Sequence, residues 1–181
     1  KFIGENLRGS VRSANQKMLF NDVSMQTMDG QIKLQGAIDA TSPSYIITRF
    51  AGNVIQVNIQ KMFYQLENFG QQNIVDKNLK GLLNAEIIYS SHWSHELIPD
   101  LNSITATADI SIENGQLLNY EPMANLSRFV KLDELMNIKF STLKNTLIIK
   151  DKLITIPKME IKSNTIDINL SGTHTFNNEI N

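Results

Sequence analysis

The clearest pattern in the chain lies between Asp151 and Phe176, where apolar and polar residues alternate strictly. Met159 and Ile161 alternate with Lys158, Glu160 and Lys162; beyond Ser163-Asn164, Ile166, Ile168 and Leu170 alternate with Asp167, Asn169 and Ser171. A period of two places alternate side chains on opposite sides of an extended chain, so this stretch predicts two strands, each with one apolar face. A tight turn at Ser163-Asn164 would set Ile161 opposite Ile166 and Met159 opposite Ile168, on one shared face. Upstream, Ile154 and Ile156 give way to Met159 and Ile161 across Pro157, a change of parity that predicts a bulge or strand break.

The same alternation recurs along the chain. Leu19 to Ala40 predicts a hairpin turning at Asp29-Gly30, with Val23, Met25, Ile32, Leu34 and Ile38 on one face and Ser24, Gln26, Lys33 and Gln35 on the other. A short strand at Tyr45 to Phe50 follows Pro43 and is broken by Gly52-Asn53. From Val57 to Phe69 the spacing becomes helical, with Ile59, Met62, Phe63, Leu66 and Phe69 at intervals of three and four and Gly70 as a stop. Strands return at Leu83 to Tyr89 and at Ile104 to Ile112, where Ile104, Ala106, Ala108, Ile110 and Ile112 form an apolar file. Asn114-Gly115 predicts a hairpin that sets Ile112 opposite Leu117. Pro122 opens a second helical stretch through Met123, Leu126, Phe129 and Val130, prolonged by Leu132, Leu135 and Met136, before strands at Ile138 to Leu143 and Thr146 to Lys150.

These elements predict one mainly β domain over residues 1–181, with possible sub-units 1–78 and 79–181. The sheet is antiparallel and built from hairpins, groove-forming (taco-like) or sandwich-like, with two short covering helices. The apolar file at Ile104, Ala106, Ala108, Ile110, Ile112, Leu117, Met159, Ile161, Ile166, Ile168 and Leu170 is the candidate functional surface, facing either lipid or a dry core.

Composition narrows what such a sheet can do. A net charge of −1 over 181 residues supplies no basic excess for phosphates, which argues against nucleic acid as a partner. Without cysteine there is no disulfide, thiolate nucleophile or cysteine metal site. No apolar run is long enough to span a bilayer and no leader is evident; the start at Lys1 predicts a piece of a longer protein, with unpaired strand edges at its cuts. The segment His92-Trp93-Ser94-His95-Glu96 lacks the order of a zinc protease motif and reads as a polar loop, with His174 far along the chain. Glu113, Glu121, Asp133 and Glu134 show no cue to convergence, and neither a phosphate loop nor a nucleophile elbow is present. No catalytic residue, metal or cofactor is therefore expected.

Four stretches resemble the C-terminal region of AsmA-like proteins of Gram-negative envelopes, the family that includes TamB: LENFGQQN (Leu66 to Asn73), NLKGLLNAEI (Asn78 to Ile87), IENGQLLNYEPMANLSRFVKLDEL (Ile112 to Leu135) and IPKMEIKSNTIDINLSGTHTF (Ile156 to Phe176). LFNDVSMQTMDGQIKLQG (Leu19 to Gly36) is similar to the looser family pattern. The resemblance implies a periplasmic, non-enzymatic protein attached to the inner membrane through an N-terminal helix outside this sequence. It further implies a groove-forming sheet, phospholipid acyl chains as cargo, a role in outer-membrane homeostasis, and contacts with other envelope proteins. The physical requirement is large, since roughly 30 methylenes at about 0.8 kcal/mol each would meet water during transfer of one phospholipid. The alternative is a docking β-module with a dry core.

Overall fold

The computed structural model describes residues 1–70, 72–128 and 131–176, apart from the side chains of Ala124 and Leu126. Among the described residues, nine strands form one antiparallel sheet in which every strand pairs with its neighbours in sequence: β1 (Glu5–Ala14), β2 (Lys17–Thr27), β3 (Gly30–Asp39), β4 (Ile46–Asn58), β5 (Leu79–Trp93), β6 (Thr105–Leu118), β7 (Asn137–Lys150), β8 (Leu153–Ile161) and β9 (Ile168–Thr175). The sheet is open, with β1 and β9 at its edges. Two short helices, α1 (Ile59–Gln65) and α2 (Leu132–Leu135), accompany it, so the mainly β, hairpin-built architecture expected from the alternation is what forms.

In such a meander the connections alternate between the two ends of the strands. Both helices fall at the same end: α1 joins β4 to β5, and α2 lies between β6 and β7. The Asn58 side chain caps α1 by accepting the amide of Lys61 at 3.1 Å, and Met62 carries the helix's apolar side onto Met28, Val57 and Leu83. After Gln65 the chain passes through left-handed backbone at Glu67, Asn68 and Phe69, so the helix stops short of the Val57 to Phe69 span that its spacing predicts. Val57 instead ends a strand and is almost fully buried. At the same end Leu135 and Ile138 are each almost fully buried. The stretch opened by Pro122 is a 3-10 turn over Glu121–Leu126, followed by the single helical turn of α2; Phe129 and Val130 lie outside the described residues.

Several turns differ from the sequence expectation for identifiable reasons. The β2–β3 turn sits at Met28-Asp29, both with positive φ, one residue before the predicted Asp29-Gly30. Burial of the Met28 side chain against Val57 and Leu83, and Asp29 bonding Lys61 at 2.6 Å, fix it there. Asn114-Gly115 is not a hairpin. β6 runs straight through it, with Ile112 paired to Leu83 and Leu143, and Leu117 paired to Leu79 and Ile138. A turn signal specifies a hairpin only when the flanking residues pair with each other, and here both flanks are claimed by β5 and β7. The site is a bulge, where Asn114 takes positive φ and the position of a Gly115 side chain is filled by the Phe140 ring. Gly52-Asn53 likewise lies inside β4, and Ile138 to Lys150 form one strand.

In the C-terminal hairpin Met159 pairs with Leu170 and Ile161 with Ile168, two positions from the predicted register. The connection is longer because Ser163 and Asn164 bond outward to β7: Asn164 exchanges bonds with Lys139, and the Ser163 hydroxyl accepts the amides of Thr165 and Ile166. Ile166 thus lies in the connection. A slip of two preserves the face of every side chain, whereas a slip of one would have reversed it. The bulge at Pro157 is present between Ile156 and Met159. β1 had no clear sequence signal, since every one of its residues is exposed.

Candidate functional site

The register joins the apolar positions of all the strands into one surface. One row crosses the whole sheet: Val11, Phe20, Gly36, Phe50, Tyr89, Ala106, Ile149, Ile154 and His174 are successive cross-strand partners. Beside it run Val23, Leu34, Gly52, Ile87, Ala108 and Leu147, and then Met25, Ile32, Val54, Ala85, Ile110 and Asn145. Directly opposed residues in an antiparallel pair share a face, so these rows form one apolar surface. At the strand spacing of about 4.8 Å, nine strands extend roughly 38 Å across.

The predicted residues fall on this surface as follows. Ala106, Ala108, Ile110 and Ile112 lie on β6 at alternate positions, with Ile104 just before the strand. Met159 and Ile161 on β8 face Leu170 and Ile168 on β9 at the sheet's far edge, and Ile166 precedes β9. Leu117 sits beyond the bulge, between Leu79 and Ile138. The two files are therefore brought into the same sheet, separated by β7.

Most of these side chains are half-buried, although the sheet is a single layer and the helices pack on β4, β5 and β7 at one end only. Where Gly52 supplies no side chain, a small depression of about 160 Å³ opens among Ile32, Leu34, Phe50, Val54, Ile87 and Tyr89. Gly36 has a related role: a side chain there would strike Phe50, whose ring instead lies 5.5 Å from that of Phe20 across the glycine. Glycine within a strand weakens it, so its use here is tied to shaping the apolar surface.

Toward the end away from the helices the surface turns polar, through a cluster that sequence reasoning missed. The fully buried Ser91 hydroxyl lies 2.8 Å from Thr48 Oγ1 and 2.7 Å from Tyr89 Oη, and accepts the Trp93 indole N–H at 2.7 Å. All these polar groups have partners, as buried groups require. The S-x-W spacing on a strand, with Thr48 opposite, was the only available signal.

The opposite face is largely polar, with charges of both signs, and also carries exposed Leu19, Ile88 and Ile148. Its clearest row is Arg8, Ser24, Lys33, Asn53, Glu86, Asp109 and Thr146, in which the Thr146 hydroxyl bonds the Asp109 carboxylate. Elsewhere on this face Gln56, Asn84 and Glu113 share hydrogen bonds. The larger hollows have mixed linings: one of about 690 Å³ beside α1, bordered by Gln26, Asp29, Lys61 and Gln65 together with Ile3, Met28 and Ile55, and one of about 470 Å³ over Asp22, Ser24, Lys33 and Asn53 together with Leu34 and Ala51. Asp29 in the first is paired with Lys61. Lys17 and Thr41 together hold the Asp39 carboxyl well below the usual carboxylate range. Among the described residues, no three His, Asp or Glu side chains converge in a way that could hold a metal.

No described helix is long and apolar enough to cross a membrane, a statement that leaves membrane-crossing strands aside. No family model matches the chain, and the comparisons with curated proteins and with solved structures each found no match.

Proposed function

We propose that this chain is a non-enzymatic module that presents an apolar β-surface to phospholipid acyl chains, as a periplasmic segment of an AsmA-like protein that moves lipid between membranes. The observation supporting it most directly is a set of apolar rows that run across a single-layer sheet from β2 to β6, with the described helices packed at one end. Apolar surface of this extent is costly in water and is ordinarily matched by a partner. Roughly 38 Å across the strands accommodates acyl chains, each about half of a ~30 Å hydrocarbon layer long. Curvature of the sheet into a trough would shield the tails further and belongs to the same reading, as does its anchorage through an N-terminal helix in the longer protein.

The test is the lipid content of the purified 181-residue chain, measured by extraction and mass spectrometry. Phospholipid is expected to co-purify, and Ile87→Asp, in the apolar depression, to remove most of it, while Ile88→Asp on the other face retains it. Lipid-free wild-type protein, or equal loss in both variants, rejects the proposal.

A second reading, a docking module for envelope assembly, is favoured by a different observation. The edge strand β1 is exposed throughout, with Leu7 at 70% and Val11 at 53%, and a further strand can extend the sheet there. Concentration-dependent association in light scattering, abolished by Val11→Pro, would support that reading over the first.

A further inference from the structure

The loop joining β5 to β6, at residues 94–104, lies at the strand ends opposite the helices and holds three exposed aliphatic side chains, Leu97 at 69%, Ile98 at 64% and Leu101 at 43%. The loop is tightly ordered. Ser94 and Ile98 are joined through backbone, the Ser94 hydroxyl accepts the amides of Glu96 and Ile98, and the Asp100 amide bonds the carbonyl of His92 at 2.9 Å. Ser103 closes the loop's return by bonding the Asp100 carbonyl at 2.7 Å and accepting the His92 amide. Leu97 is held at φ 62, a left-handed conformation that costs a leucine energy and that glycine adopts freely. A hydrogen-bonded loop that keeps a strained and exposed leucine in place presents that side chain to the surroundings.

The geometry points to this loop as a membrane-contacting tip that places Leu97, Ile98 and Leu101 in the interface of an electrically neutral phospholipid bilayer. Three aliphatic side chains on the two successive turns of one loop are too few for a stable protein interface, which needs about 1,000 Å², whereas shallow insertion into a bilayer needs only a few. Much of the loop's backbone hydrogen bonding is internal, which lowers the cost of entering the headgroup region. At its base stand residues suited to the wet side of an interface: Trp93, and Tyr45 stacked on His92 with ring centroids 4.6 Å apart. The charged groups within the loop, Glu96 and Asp100, are acidic, and Ser94 holds the Glu96 carboxyl below its ordinary value. They oppose an anionic surface, which selects a zwitterionic one. This inference does not rest on acyl chains occupying the sheet.

Flotation of the 181-residue chain with phosphatidylcholine vesicles tests it. The chain is expected to float, and Leu97→Ser combined with Ile98→Ser to lower its vesicle partition by about tenfold. Leu97→Gly removes the side chain while suiting the left-handed backbone, so it should lower partition with the melting temperature held or raised. Ile88→Ser, at an equally exposed isoleucine elsewhere, should leave partition unchanged. Absence of flotation, flotation only with anionic lipid, or an equal fall in Ile88→Ser overturns the proposal, as does tip-dependent self-association in its place. Co-purified lipid measured on the same samples separates this result from the acyl-chain reading, because tip variants should retain it.

Discussion

The two faces of the sheet are made by alternate residues of the same strands, yet they solve different problems. One face aligns Phe20, Phe50 and Tyr89, then Leu34, Ile87 and Leu147, in cross-strand rows that are broken by glycine, alanine, a fully bonded hydroxyl cluster and, toward the C-terminal strands, Asn145 and His174. The other aligns Ser24, Lys33, Asn53, Glu86 and Asp109, whose charges are of both signs and whose side chains bond across strands. A single-layer sheet normally gains its stability by packing one face on something. Among the described residues the helices pack at one end of the sheet, where Met28, Val57, Leu83 and Met62 meet, and the apolar rows continue beyond that packing.

Ile87 and Ile88 test that contrast with one side chain on each face. Ile87 is half-buried in the apolar depression, whereas Ile88 is 68% exposed on the polar face. Aspartate is equally unsuited to a strand at either position, so backbone preference cancels between them. Ile87→Asp should cost roughly 2 kcal/mol more than Ile88→Asp in urea unfolding, through a charge set among apolar neighbours, while Ile88→Asp should cost at most about 1 kcal/mol, the span of strand preference. Equal effects would mean that both faces are solvated alike.

The faces were legible in the sequence because parity survives errors of register. Met159 and Leu170 pair two positions from where a tight turn would have put them, and both remain on the apolar side. Connections were less legible, because a turn signal competes with partners from elsewhere in the chain. Asn114-Gly115 yields to β5 and β7, and the β2–β3 turn moves to Met28 because that side chain is buried. The exposed edge β1 has no buried face and hence no period to read. The sequence reading takes His92 to Glu96 as part of a polar loop, whereas β5 runs on through Trp93 and the loop begins at Ser94. Its three aliphatics, in the order Leu97-Ile98-Pro99-Asp100-Leu101, were the signal that could have corrected this.

A smaller effect is expected where the apolar face turns polar. Ser91 is fully buried and bonds Thr48, Tyr89 and Trp93 at once. Ser91→Ala removes the indole's nearest acceptor, leaving Thr48 Oγ1 at 3.3 Å as its remaining one. Stability should fall by about 1–2 kcal/mol in chemical unfolding, the cost of a poorly satisfied buried donor. Lipid content should not change, since the cluster lies at the border of the apolar rows; a loss of lipid as large as that of Ile87→Asp would extend the binding surface into it.

The smallest effect belongs to the polar face, at Asp39, where Lys17 at 2.8 Å and two bonds from Thr41 favour the carboxylate. The folded chain thus holds this proton more weakly than the unfolded chain, whose aspartate titrates near about 3.9. Its contribution to stability is fully present above that value and is lost as pH falls through it toward the lower folded-state value. Asp39→Asn should therefore lower stability slightly at neutral pH and leave it unchanged in strong acid, flattening the acid limb of the unfolding profile. Because the pair is solvated, added salt should shrink the Lys17 part of the difference. A thermal-unfolding series across acidic pH checks the sign, and a variant less stable than wild type by the same amount at every pH would place the role of Asp39 in packing instead of charge.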